Sequence, residues 1–264
     1  MDYQKLFDMT GKVCIVTGGT GYLGSANVKA LKDFGATVVV ADIRASEERW
    51  ANAEQTVSDM FVPLDISSTE SVKACYQAVY DKFGHIDAVI HCASFGAGFG
   101  KESKLEYMSD EIFEKGLSGN IGATFRMLRE AVPFMKEKGG SFVTYGSMYG
   151  VVSPDLRIYG KDSDQTQPAN YGPGKAGIIQ LTRYAAGALA PYGIRVNCVI
   201  PGPFPNPKSC ADNDGFNEIL GTKTMLGRTG VNHEIAGAGL LLASDASSFM
   251  TGSSITVDGG WTAW

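Results

Sequence analysis

Residues 13–24 read Val-Cys-Ile-Val-Thr-Gly-Gly-Thr-Gly-Tyr-Leu-Gly. Four apolar residues in a row run into four glycines among seven residues, and an amphipathic stretch, 25–34, follows and is closed by Gly35. Continuous apolarity over so short a run marks a strand covered on both faces. The glycines mark a turn in which backbone approaches backbone or a ligand closely. The alternation continues down the chain. Strands are expected at 37–41, 60–64, 86–91, 141–145, 194–200 and 254–257. Helices are expected at 68–83, stopped by Gly84, at 119–138, where Pro133 bends the helix or marks its last turns, at 171–190 and at 231–243.

Strands alternating with helices build a parallel sheet covered on both sides, and right-handed crossovers wind it in both directions. The expected architecture is therefore α/β: a doubly wound parallel sheet of Rossmann type, three layers deep, in a single domain over residues 1–264. Nothing resembles a linker or repeat. With 23 basic against 28 acidic residues and no basic cluster, neither nucleic acid nor an acidic membrane surface is an expected partner. No apolar run is long enough to span a bilayer, and the first residues lack a signal-peptide pattern, so a cytoplasmic protein is expected. The five cysteines show no metal-ligand spacing and no metal is expected; Cys14, Cys92 and Cys198 lie in apolar runs as small hydrophobes.

A glycine turn between a strand and a helix seats a pyrophosphate on the helix N-terminus. Gly18, Thr20, Gly21, Tyr22 and Leu23 are the candidates here. Asp42 ends the second strand, where a carboxylate accepts both ribose hydroxyls of an adenosine and repels a 2′-phosphate. NAD is therefore favoured over NADP, with Arg44 partly offsetting the repulsion. Asp65 ends the third strand and either meets the adenine edge, beside Ile66, or caps a helix. Tyr171 and Lys175, four apart, share one face if helical. Pro173 between them is tolerated in a first turn, with Asn170 as the N-cap.

Taken in order, the glycine turn, Asp65, Asn120, Ser147, Tyr171-Gly-Pro-Gly-Lys175, Asn197, Pro201-Gly202 and Val257-Asp258-Gly259-Gly260 resemble the short-chain dehydrogenase/reductase superfamily from about residue 11 to residue 260. The resemblance implies a hydride exchanged between a nicotinamide and an alcohol or carbonyl carbon. It makes Tyr171 the general acid/base, its phenol lowered from an ordinary pKa of about 10 by the Lys175 ammonium. Lys175 also holds the nicotinamide ribose, Ser147 orients the substrate oxygen, and Asn120 fixes a water in a proton relay. It implies further cofactor contacts from Cys92, Ala93, Ser94, Pro201 and Gly202.

The chain departs from the pattern in places. Tyr22 stands where one-domain members carry their second glycine, and His91-Cys92-Ala93-Ser94 replaces their Asn-Asn-Ala-Gly. Both features resemble the longer, epimerase-like branch, although 264 residues leave no room for that branch's second domain. His91 is read as a strand-end residue near the cofactor rather than a base. Asn206 takes the place of the family's carboxamide-binding Thr. Ser147 and Tyr171 are 24 apart, about twice the family's usual separation, and the extra residues form a polar insertion within 149–170. The expected substrate is therefore a small polar molecule, such as a sugar, a polyol or a gluconate-type sugar acid, met by Ser147, Tyr149, Arg157, Tyr159 and Phe204. A solvated loop or subunit contact is the competing reading of the insertion. Residues 203–230 resemble a mobile substrate lid. Trp261 and Trp264 are expected to be exposed and to pack against another subunit in a homo-oligomer, a tetramer or dimer. The alternatives are a 3-oxoacyl-carrier reductase, disfavoured by Asp42, the polar insertion and the lack of a basic patch, and a non-catalytic NAD-binding regulator, disfavoured by the complete catalytic set.

Overall fold

The computed structural model describes residues 2–43, 58–96, 98, 100–160, 163–164, 166–207 and 214–264. Seven parallel strands form one sheet in the order β3-β2-β1-β4-β5-β6-β7. They are β1 (Val13–Thr17), β2 (Thr37–Asp42), β3 (Met60–Pro63), β4 (Ala88–His91), β5 (Gly140–Tyr145), β6 (Ile194–Pro201) and β7 (Ser254–Val257). The order reverses between β1 and β4, and both of those strands end, at Thr17 and His91, on the same level of the sheet. A crevice at this reversal, outside the carboxyl ends of the strands, is where open α/β sheets bind ligands.

Helices cover both faces. On one side lie α2 (Thr69–Phe83), α4 (Ala123–Met135) and α5 (Tyr171–Leu189), and on the other α1 (Tyr22–Asp33) and α7 (His233–Ala243). Each face has its own core. Ile15, Val39, Val89, Phe142 and Val196 pack under the first layer, and the alternate residues Cys14, Val16, Val38, Val40, Ile90 and Val143 under the second. The period-2 division of fully apolar strands between two cores is the physical reason for their lack of polar alternation. β7 alone alternates exposed and half-buried residues, as suits an edge strand.

The helix expected at 119–138 begins nine residues earlier. Ser109 caps α3 (Asp110–Leu117) by accepting from the Ile112 N–H at 3.3 Å, a π-helical turn follows over Ser118–Gly122, and α4 continues from it. Ser109 followed by two acids is an N-terminus signal legible in the sequence. Pro133 sits in the last turn of α4. Within the expected lid the chain forms α6 (Asp214–Thr222). Asn170 occupies the N-cap position of α5 but its side chain caps nothing there, because the amide is turned towards α3. Trp261 is not exposed: it retains 8% of its surface and packs edge-on against Tyr149, whereas Trp264 is 73% exposed. Among the described residues no helix is long and apolar enough to cross a membrane.

Candidate active site

The glycine turn leaves β1 and bends back at once. The Gly18 N–H donates to Ala41 O, and the Gly21 N–H to Gly18 O, each at 2.9 Å. A Cβ at Gly24 would stand 2.1 Å from Gly18 O, so only glycine permits this turn to close on its helix. No side chain caps α1, which leaves its first-turn N–H groups and the positive end of its dipole facing the crevice. Tyr22, the departure in this loop, has a structural use. Its carbonyl accepts from Asn232 Nδ2 at 3.1 Å and its hydroxyl from the Asn232 N–H at 3.3 Å, tying the loop to the start of α7.

Asp42 lies beside this turn, buried, and its carboxylate accepts from both the N–H and the hydroxyl of Thr20 and from the Ile43 N–H. Arg44 lies outside the described residues. Asp65 does not cap α2; Ser68 does, accepting from the Ser71 N–H at 3.2 Å. The Asp65 carboxylate instead takes the Ser67 N–H and hydroxyl, and these bonds hold its pKa below the ordinary range. Ile66 is buried in the core beneath it. Ala93 passes close over the turn, its N–H directed at Thr17 Oγ1 at 3.4 Å, with Cys92 and Ser94 on either side. Burial raises the Cys92 thiol to about 12, which leaves it an inert neutral group. His91 Nδ1 meets Thr17 Oγ1 at 2.7 Å, while Nε2 has no partner. Burial first, and the Lys175 charge second, lower its pKa to about 3, so it is neutral and no base.

Of the four expected catalytic residues, Tyr171, Lys175 and Asn120 meet at the first turn of α5, and Ser147 lies just beyond the strand end that anchors Lys175. Tyr171 opens α5, and Lys175 one turn on carries its Nζ 5.6 Å from the centre of the Tyr171 ring. That ammonium donates to Tyr145 O at 3.0 Å, so it is anchored at the end of β5. Ser147, two residues beyond that strand, is buried and accepts from the Tyr149 N–H at 3.1 Å. Asn120 lies in the π-helical turn, its Nδ2 donating to Gly116 O at 2.9 Å; its Oδ1 has no partner. A Cβ at Gly174 would lie 2.9 Å from the Asn120 Cβ, so the first turn of α5 rests directly on Asn120.

Of the expected substrate contacts, Tyr149 and Tyr159 join an apolar cluster that includes Tyr171, Phe216 and Trp261. Tyr159 packs on Phe216 at 5.4 Å and donates to Gln167 Oε1 at 3.2 Å. Burial pushes the phenols of both Tyr149 and Tyr159 up. Arg157 does not turn inward: its side chain is 88% exposed and its guanidinium grips Asp155 at 2.7 and 2.9 Å. Lys223 reaches the same carboxylate at 2.7 Å, and the two cations hold Asp155 well below the usual carboxylate range. Phe204 is also elsewhere, packed under Gly230 on the α7 side of the sheet. Lys161, Asp162 and Gln165 of the insertion lie outside the described residues. Pro201 and Gly202 leave β6 beside β7, the Gly202 N–H donating to Val257 O at 2.9 Å, and Asn206 is half-buried on the loop beyond. The insertion and the lid thus present aromatic surfaces to Tyr171 and are joined to one another by the Asp155–Lys223 ion pair. Sequence reading missed Phe216 and placed Trp261 outside, because each finds its ring partner far away along the chain.

The residues present fit a nicotinamide dinucleotide. The uncapped α1 terminus and the Asp42 carboxylate stand at the carboxyl ends of β1 and β2, and the Lys175 ammonium is anchored at the end of β5, all on the edge of the sheet where such a cofactor lies.

A family model described as enoyl-(acyl carrier protein) reductase matches residues 22–262. A trans-4-hydroxycyclohexanecarboxylate dehydrogenase of Sinomonas cyclohexanicum is 32% identical over 262 residues, covering 96% of this chain and 93% of that one. A 2,5-dichloro-2,5-cyclohexadiene-1,4-diol dehydrogenase of Sphingobium indicum is 34% identical, covering 97% and 99%. The crystal structure of a short-chain type dehydrogenase/reductase from Mycobacterium marinum superposes with a TM-score of 0.85 at 28% identity, each chain covered in full.

Proposed function

The chain belongs to the short-chain dehydrogenase/reductase family, whose members act on hydroxyl and keto groups with a nicotinamide cofactor, and from that premise we propose that it is an NAD-linked dehydrogenase of a small hydroxylated ring. The observation that carries this reading is the Lys175 ammonium 5.6 Å from the Tyr171 ring on one face of α5 and bonded to Tyr145 O, two residues before the buried Ser147. A bound nicotinamide supplies or takes the hydride. The chain does the rest: the Tyr171 oxygen, as phenolate, takes the proton from the substrate alcohol, or, as phenol, gives its proton to the carbonyl oxygen, and the Lys175 ammonium stabilises the phenolate form in either direction. Ser147 donates to the same substrate oxygen and fixes its orientation. Asn120 holds the first turn of α5, and with it the pair, at the crevice. The uncapped turn of α1, with Gly18, Thr20, Gly21, Tyr22 and Leu23, takes the pyrophosphate, and Asp42 takes the adenosine ribose hydroxyls and rejects a 2′-phosphate.

The substrate class follows from the cluster around Tyr171. Flat aromatic faces at Tyr149, Tyr159, Phe216 and Trp261 suit the C–H face of a compact ring, and the two phenols offer hydrogen bonds to hydroxyls at its edge. A sugar, sugar acid or hydroxycycloalkane has both features, and the cyclic alcohols in the names of two relatives share them. The test titrates the protein with NADH and NADPH, then follows nicotinamide absorbance over a panel of sugars, sugar acids, cyclic diols and 3-oxoacyl thioesters. Tighter NADH binding and turnover of a ring alcohol are expected. Turnover of the thioesters alone overturns the substrate class, and tighter NADPH binding overturns the role of Asp42. Tyr171→Phe is expected to lose about a hundredfold or more in kcat while still binding NADH; retained turnover overturns the acid/base role.

A further inference from the structure

Asn170 stands at a helix N-cap, the position where an asparagine side chain ordinarily bonds the open N–H groups of the first turn. Here it makes no such bond. Its amide is wholly buried and points the other way, with Nδ2 donating to Ile112 O of α3 at 2.8 Å. The amide lies flat on Gly116, where an added Cβ would stand 2.1 Å from Nδ2 and 2.4 Å from Cγ. One turn separates Ile112 from Gly116, and the Gly116 carbonyl in turn takes the Asn120 amide. Successive carbonyls on one face of α3 are thus gripped by two buried asparagines. One immediately precedes Tyr171, and the other supports Gly174, immediately before Lys175. Among the described residues neither Oδ1 atom has a partner, so each amide is held through its Nδ2.

We propose that Asn170 is a positioning residue for Tyr171, its amide seated on Gly116 and bonded to Ile112 O so that α3 fixes where the phenol stands in the crevice. The sequence gives up a helix cap to make this bond between helices. A capping asparagine stabilises α5 wherever α5 lies, whereas this bond specifies where α5 begins relative to α3. The glycine at 116 is part of the device, because any side chain there displaces the amide. The inference rests on Tyr171 as the proton carrier, but its test needs no turnover.

Ring-labelled tyrosine gives each phenol an NMR signal, and the signal missing from Tyr171→Phe is that of Tyr171. In Asn170→Ala the bond to Ile112 is lost. In Gly116→Ala the asparagine remains and only its seat is filled, which preserves the test should Asn170→Ala fold poorly. The Tyr171 signal is expected to move from its wild-type position in both variants. Those of Tyr76 and Tyr145, buried on the two faces of the sheet, stay in place, and NADH affinity by fluorescence titration is unchanged. A Tyr171 signal coincident with wild type in Gly116→Ala overturns the proposal. So does a loss of NADH binding together with displaced Tyr76 and Tyr145 signals, which reports general unfolding rather than positioning. Displacement of Tyr171 here alongside full turnover by Tyr171→Phe would instead sink the dehydrogenase chemistry and leave the positioning intact.

Discussion

His91 shows how a strand-end residue earns its neighbourhood without doing chemistry. It is held neutral by burial, its pKa lowered to about 3 from an ordinary value of about 6.5. The unfolded chain therefore binds a proton that the folded chain refuses. The corresponding stability is present above pH ~6.5 and is lost progressively as pH falls towards the folded value. Melting temperature measured from pH 7 down to pH 5 is expected to fall in the wild type and to fall less steeply in His91→Asn, which has no proton to take up. Parallel curves would refute the assignment. Asp42 carries a second consequence at this scale. It is tied to Thr20 on the turn itself, so Asp42→Ala removes a loop tie and, in the proposed reading, a ribose acceptor as well. The variant is expected to lose NADH affinity by about tenfold and to narrow its discrimination against NADPH, both read from fluorescence titrations.

At the scale of elements, what the sequence made legible and what it hid divide along a physical line. β1, its turn and α1 were legible because their signals are local: apolar runs, glycine and helical periodicity. The Tyr171–Lys175 face was legible because four residues make one turn of helix. α3 carried a local signal in Ser109-Asp110-Glu111, and its π-helical continuation had none, since that irregularity answers to Asn120 and α5 packed against it. The aromatic walls were hidden because their contacts join 148–159 to 214–223 and to 261. The charge of the insertion was visible, yet its direction was not: Asp155 spends its carboxylate on Arg157 and Lys223. That ion pair joins the insertion to the segment after α6 at the surface, where ion pairs contribute little to folding. Lys223→Ala and Asp155→Ala are each expected to raise KM severalfold for whichever alcohol the protein turns over, with kcat and melting temperature near wild type. The double variant should be no worse than either alone. Additive effects in that cycle would show the two segments acting separately.

For the molecule as a whole, the sheet divides labour between its ends. Every strand contributing to the site does so at its carboxyl edge, and rigid, doubly covered strands hold those ends in register. Large apolar side chains left outside this frame include Phe249, which is fully exposed, with Tyr184 and Trp264 at 73% each. We propose that they meet a second copy of the chain. Sedimentation is expected to give the mass of two or four chains in the wild type and a smaller species in a Phe249→Ser, Trp264→Ser double variant. A monomer in both cases would dismiss the homo-oligomer.

The contact between Trp261 and Tyr149 has a consequence for how such a protein changes over evolution. In the proposed reading the walls of the substrate site are three separate panels, taken from 148–159, 214–223 and Trp261, and none carries Tyr171 or Lys175. Each panel can be exchanged by mutation while the machinery stays put. A change of specificity in that reading needs substitutions on one panel and none on the helix that carries Tyr171 and Lys175.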